Sequence, residues 1–452
     1  METPICDFVR EYAQKSPLRL HMPGHKGIGP LGCEAWDITE VKGADVLDQA
    51  GGIIKQSEEN AAALFGTAAT LYSTEGSSQC IRAMVYLAML HAKAQGRRPV
   101  VLAGRNAHKT FLTAAALLDV DLLWLRPQEG VPFAPWEGGL LSCLITPAGL
   151  EAALSTQEGV TAVYLTSPDY LGNRLDIGHL AQVCHRHNAL LLVDNAHGAY
   201  LRFLERSLHP MDLGADLCCD SAHKTLPVLT GGAYLHISRT APQDLKAQVR
   251  SALSLFGSTS PSYLILQSLD AANRYLAEGY RERLRDFSAQ VWELKKRINA
   301  QGWTFLGGEP LKLTLFPKPY GYTGLELAAL MREKGMEPEM ADPDFVVMML
   351  TPELGKEALD RVEEFLSALP PKEPILKVPP PVPTPATVLT PRQALFSPQE
   401  ELPLEKCLGR VLAAPTVSCP PAVPILVCGE EIDQTAIDCF RYYGHETCTV
   451  VR

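Results

Sequence analysis

The chain contains no apolar run approaching the ~18 residues needed to cross a bilayer. Its opening residues, METPICDFVREYAQKSP, carry acids where a secretory leader would carry an apolar core. Neither a membrane span nor a signal peptide is expected. Basic residues are outnumbered, 41 Lys and Arg against 51 Asp and Glu, giving a formal net charge of −10. That balance excludes a general nucleic-acid surface, because phosphate binding depends on clustered basic side chains. The 12 cysteines are scattered. No CxxC pair occurs, and Cys218 and Cys219 are adjacent, so no metal is expected. A chain this long needs no disulfide scaffold, and a reducing cytosol suits its thiols best. No internal repeat stands out.

What is present is an ordinary globular composition, 46% hydrophobic and 20% charged. At 452 residues the chain exceeds the size at which one core stops growing, which predicts two or three domains. Short apolar runs alternate with helical patterns. "RRPVVLAG" precedes a helix over Lys109–Leu118, "VTAVYLTSP" precedes "IGHLAQVCHRHN", and "ALLLVDNAHG" follows at once. Continuous apolar strands separated by helices predict an α/β fold with a mainly parallel sheet covered on both faces. A charged helical pattern then runs from Leu276 to Gly302, followed by a smaller α+β unit, a proline-dense connector between Pro370 and Pro391, and a last segment of about 60 residues. That segment is too small for a large core and is expected to pack on the main body.

In open α/β sheets, ligands sit outside the carboxyl ends of the strands, which raises interest in four places. In "YSTEGSSQ", Gly76 with Ser77 and Ser78 leads into a helix expected to begin near Gln79, offering N–H groups and hydroxyls to an anion. Ser and Thr are also ordinary helix caps. His108, after "PVVLAG", is either a structural hydrogen-bonder or a ring that stacks on a flat ligand. Asp194 ends a run without polar residues, so its charge needs a partner such as a protonated ring nitrogen, or it caps the next segment. Lys224, in "DSAHKTLPVLTGG", lies thirty residues later, room for a helix and a strand, at the same sheet edge. An amine, a carboxylate and an anion cradle are the set that pyridoxal 5'-phosphate needs.

"LRLHMPGHKG", "DITEVKGADVLDQAGGIIKQSEENAAALFG", "STEGSSQ", "GRNAHK", "TSPDYLGNRLDI", "VDNAHGAY", "DSAHKTLPVLTGGAYLH" and "STSPSYLILQSLDAA" together resemble the bacterial ornithine/lysine/arginine decarboxylases. The likeness extends into "TPRQALFSPQEELPLEKCLGRVLAA" and "PPAVPILVCGEEI". It implies a pyridoxal-phosphate enzyme of fold type I, the aspartate-aminotransferase fold with a seven-stranded-type sheet, in the short form without an N-terminal wing domain. The implied organisation is an N-terminal arm over 1–45, a cofactor-binding domain over 46–270, a small α+β domain over 271–370, a linker over 371–391 and a decarboxylase-type domain over 392–452.

The resemblance also implies roles. Lys224 would bond the cofactor's aldehyde, Asp194 would pair with the pyridine nitrogen, and His108 would stack on the ring. Gly76, Ser77, Ser78, Ser221 and His223 would cradle the phosphate, and His197 would lie near the phenolic oxygen. Ser258 and Thr259 would reach the site of a neighbouring subunit, which implies a homodimer or higher homo-oligomer. The family commonly has Asn-Gly where this chain has Glu75-Gly76. A carboxylate beside a phosphate is repulsive, so Glu75 either points away or meets a basic substrate. Glu430 and Glu431 are candidate partners for a cationic side chain, or a solvated charge pair. The implied reaction is decarboxylation of a basic amino acid, arginine first, then lysine or ornithine. The alternatives are other chemistry on the same cofactor, as in an aminotransferase or lyase, or a non-catalytic regulatory protein that binds it.

Overall fold

A computed structural model describes residues 1–125, 143–418 and 423–452. Pro420, Pro421 and Ala422, within one motif quoted above, therefore lie outside the described residues. In chain order the elements around the site are α1 (Pro4–Lys15), α2 (Ile53–Phe65), β1 (Ala69–Ser73), α3 (Gly76–Ala94), β2 (Val100–Gly104), α4 (Lys109–Leu118), β3 (Asp121–Leu125), α5 (Pro147–Thr156), β4 (Ala162–Thr166) and α6 (Ile177–Arg186). There follow β5 (Leu190–Asp194), α7 (Pro210–Leu213), β6 (Leu217–Asp220), α8 (Ala222–Thr225), β7 (Ala233–Ile237), α9 (Gln243–Ser254) and α10 (Tyr263–Ala277). Every strand and helix named from apolar runs is found, and α4 has the expected bounds.

The chain divides into two compact units. The first comprises Met1–Arg98 and Ile177–Arg283. Its strands run in the order β1-β7-β6-β5. β5 and β6 are parallel, while β7 is antiparallel to both β6 and β1. All residues of β5, β6 and β7 are buried, as continuous apolar runs require when both faces of a sheet are covered.

The second unit comprises Pro99–Asp176 and Leu284–Arg452. In it β2 lies between β4 and β3 and is parallel to both. An antiparallel four-stranded sheet over Thr304–Leu306, Lys312–Phe316, Met340–Ala341 and Val346–Met349 forms its α+β part. The expected helical stretch from Leu276 to Gly302 is broken, because Gly279 takes a left-handed φ of 74° between α10 and a helix over Tyr280–Ala300. Residues 371–385 form neither helix nor strand, as the proline density predicts. The last segment has a small core of its own, including Leu404, Leu412, Ile425, Ile432 and Phe440. It also packs on its unit, where Arg392 Nη1 donates to the Ala116 carbonyl at the end of α4, 2.8 Å away.

Thr3 precedes α1 without offering a side-chain cap. Asp270 of α10 takes that part from a distance in sequence. Its buried carboxylate accepts the N–H groups of Ile5 and Cys6, both at 2.9 Å, and the Ser57 hydroxyl at 2.6 Å. A carboxylate at a helix N-terminus also meets the positive end of the helix dipole. Asp270→Ala orphans the Ile5 and Cys6 N–H groups and is expected to cost about 3 kcal/mol of stability, at roughly 1–3 kcal/mol per buried orphan. Urea denaturation measures the loss, and amide exchange over 4–15 should quicken. A loss below about 1 kcal/mol would show that α1 is held by packing alone.

Candidate active site

The site is built from two adjacent strand ends. β5 and β6 run parallel with Asp194 in register with Cys219, so the turns that follow both strands leave the sheet at one edge. Asp194 is buried, and its Oδ1 accepts the Ala196 N–H at 3.2 Å and the Cys219 thiol at 3.6 Å. Burial, reinforced by the Asp194 charge, pushes the Cys219 thiol well above its usual range. Asp194 does not cap the next helical turn, Ala199–Phe203, whose cap residue is Gly198. After β6 the chain enters α8, which carries Lys224, and Lys224 Nζ lies 3.2 Å from His197 Nε2. The expected lysine and histidine thus meet.

The other side of this unit's site is the start of α3. The helix begins at Gly76, three residues before the expected Gln79, so Ser77 and Ser78 lie inside its first turn. The cap position is Glu75, whose side chain makes no capping bond, so the serines are not caps. Two contacts hold the early start. Gly76 N–H donates to the Gly231 carbonyl at 2.7 Å, and Ser73 Oγ accepts the Glu75 N–H at 3.1 Å. Ser221 Oγ donates to Ser77 Oγ at 2.8 Å, which brings the lysine turn and the helix start together. Gly76 has a φ of 71°, and a Cβ there would meet nothing within 4 Å. Half-buried serine hydroxyls, an open glycine and the first-turn N–H groups of a 19-residue helix suit a phosphate. His223 Nδ1 lies 2.9 Å from the Gly232 carbonyl, which fixes its proton on Nδ1.

The Glu75 carboxylate accepts the backbone N–H of Ser258, which lies with Thr259 in an exposed stretch. Three sequence candidates belong to the second unit. His108 is exposed at the head of α4, where its Nδ1 accepts the Thr110 N–H at 3.2 Å. Glu430 is fully buried, 2.6 Å from Arg105 and accepting the Val427 N–H at 2.9 Å. Glu431 is half-buried on a bridge to Val411.

Sequence reading assigned no role to Asp220, His209, His236 or Asn195. The structure gathers them beneath the lysine turn. Asp220 Oδ2 lies 2.9 Å from His209 Nε2 and 3.0 Å from His236 Nε2, with all three side chains fully buried. Burial alone would raise the Asp220 carboxyl, but the two imidazoles more than reverse this and hold it well below the usual carboxylate range. The signal available was a polar residue within each of two otherwise apolar strands, Asp220 in "LCCD" and His236 in "AYLHI".

An amine, a buried carboxylate and an anion cradle fit pyridoxal phosphate, and fold and site together define a pyridoxal-phosphate-dependent enzyme of fold type I. The fold is similar to that of the lysine decarboxylase LdcF of Francisella novicida, with a TM-score of 0.78 at 16% identity over 99% of this chain and 79% of that one. The constitutive lysine decarboxylase of E. coli matches at a TM-score of 0.76 and 17% identity, over 100% of this chain and 82% of that one. The chain belongs to the Orn/Lys/Arg decarboxylase family, whose major-domain model matches residues 3–316. An arginine decarboxylase of Bacillus subtilis is 28% identical over 471 residues, spanning 96% of this chain and 92% of the relative.

Gly76→Ala tests the cradle. An L side chain at positive φ costs about 1–2 kcal/mol, and here no steric clash adds to it. The variant is expected to keep its circular dichroism spectrum while pyridoxal phosphate, followed by titration, binds roughly ten-fold more weakly for each 1.4 kcal/mol lost. Unchanged affinity would remove Gly76 from the cradle.

Proposed function

We propose that the protein decarboxylates a basic L-amino acid, with arginine the preferred substrate, giving carbon dioxide and the corresponding polyamine or polyamine precursor. The observation that carries this reading is the meeting of the Lys224 turn and Asp194 at neighbouring parallel strand ends, in a chain whose family acts on ornithine, lysine or arginine. The ranking of arginine rests on relatives named arginine decarboxylase that align over nearly the full chain.

Pyridoxal phosphate, when bound, supplies an aldehyde for the amine and a ring that takes up the electrons of the broken bond. The chain's own residues do the rest. Lys224 Nζ is the amine that would hold the aldehyde. His197 Nε2, 3.2 Å away, can take or return a proton at that nitrogen. Asp194 holds a proton on the ring nitrogen, and its burial strengthens that pairing. Gly76, Ser77, Ser78 and Ser221 hold the phosphate, with His223 beside them. The part of His108 rests on the resemblance alone.

We also propose a homodimer in the cytosol. Leu18, Leu20, Ile28 and Leu31 of the N-terminal arm are each more than 80% exposed, more apolar surface than one short segment ordinarily leaves to water. Leu229 and Leu255, in the stretches after Lys224 and before Ser258, are exposed as well, which supports a second copy covering this side. The eleven described cysteines are all free thiols, in keeping with a reducing compartment. Among the described residues no helix is long and apolar enough to cross a membrane.

The test is carbon dioxide release by cofactor-saturated protein from arginine, lysine, ornithine and a neutral amino acid. Arginine is expected to exceed the other two by about ten-fold or more, because acceptors arranged for a guanidinium are left unpaired by an ammonium. Turnover of lysine or ornithine alone would overturn the ranking. Keto-acid formation, or preference for the neutral substrate, would overturn the reaction class.

A further inference from the structure

Asp220 ends β6, four residues before Lys224, and its carboxylate has a partner on every side. Oδ2 faces His209 and His236, while Oδ1 accepts the Asn195 side-chain amide at 2.7 Å and the Cys218 thiol at 3.6 Å. The protonation pattern follows from the outer bonds. His209 Nδ1 accepts the Met211 N–H at 3.3 Å, so the proton of a neutral His209 sits on Nε2 and points at Asp220. His236 Nδ1 lies 2.8 Å from the Thr70 hydroxyl, which can donate to it and leave the Nε2 proton for the same carboxylate. Asp220 is therefore a buried anion fixed in orientation by two rings that are themselves fixed.

Asn195 is the link from this anion to the site. It follows Asp194 directly, and its backbone N–H donates to the Cys219 carbonyl at 3.0 Å. Its own carbonyl accepts the Gly198 N–H at 2.8 Å, closing the turn that carries His197. The turn is tight, since a Cβ on Gly198 would come within 2.0 Å of Asn195 Oδ1. Because Asp220 accepts from Asn195, the amide orientation is settled, and the turn cannot move without breaking a bond to a buried charge.

We propose that Asp220 is a positioning residue: through Asn195 it sets the 194–198 turn, and with it Asp194 and His197, against the turn that carries Lys224. This rests on the roles proposed above for Lys224 and Asp194. Asp220 touches neither substrate nor cofactor in this account.

The experiment uses the full-length protein and three changes. Asn195→Ala removes the link but keeps the His209–Asp220–His236 set. Asn195→Asp sets two carboxylates against each other, and Asn195→Asp combined with Asp220→Asn restores one donor facing one acceptor. In apoprotein, amide exchange over 194–198 is expected to be roughly ten-fold faster in Asn195→Ala than in wild type, as loss of a bond to a buried charge implies. Pyridoxal phosphate affinity should fall by a similar factor in both single variants, and the double exchange should recover most of it. Unchanged exchange and affinity in folded Asn195→Ala would overturn the proposal, as would a folded double variant no better than Asn195→Asp. Wild-type protein that binds no cofactor would instead overturn the functional reading, while the exchange comparison still decides the link.

Discussion

The parallel pairing of β5 with β6 is the constraint on which the site depends. Parallel neighbours end at the same edge, so the register brings a carboxylate at the end of one and an amine just beyond the end of the other to that edge. Both strands are wholly buried, as a parallel pair covered on both faces requires. The edge is then finished by three turns, 194–198, 221–224 and 74–77, tied by the His197–Lys224 and Ser221–Ser77 contacts.

Charge is handled in two ways at this edge. Asp194, buried at the end of β5, accepts the Ala196 N–H and the Cys219 thiol. Asp220 is surrounded by donors and serves only the protein. The two imidazoles on its Oδ2 and the Asn195 amide on its Oδ1 meet that charge with hydrogen bonds.

Much of this was legible in the sequence because apolar runs mark buried strands and ligands gather at strand ends. "ALLLVDNAHG" and "DSAHK" could be assigned to one edge before any coordinates. The start of α3 was misjudged by three residues because serines suggested caps, whereas the Gly76–Gly231 and Glu75–Ser73 bonds settle where the helix begins. From the sequence Glu430 is either a partner for a cationic substrate side chain or half of a solvated charge pair, and the structure buries it against Arg105. Its partner Arg105 lies 325 residues away, and no local pattern encodes such a contact. The same holds for Asp220, whose meaning depends on His209 and His236 arriving from two other elements. Strand ends are local facts, while buried ion pairs are facts of packing.

Borohydride reduction tests most directly whether Lys224 is the group to which the cofactor is bonded. Reduction of cofactor-saturated protein, followed by digestion and mass spectrometry of the peptides, fixes the cofactor to whichever lysine holds it. One modified peptide, containing Lys224, is expected, and none in Lys224→Ala. Modification of a different lysine, or none at all in saturated protein, would contradict it.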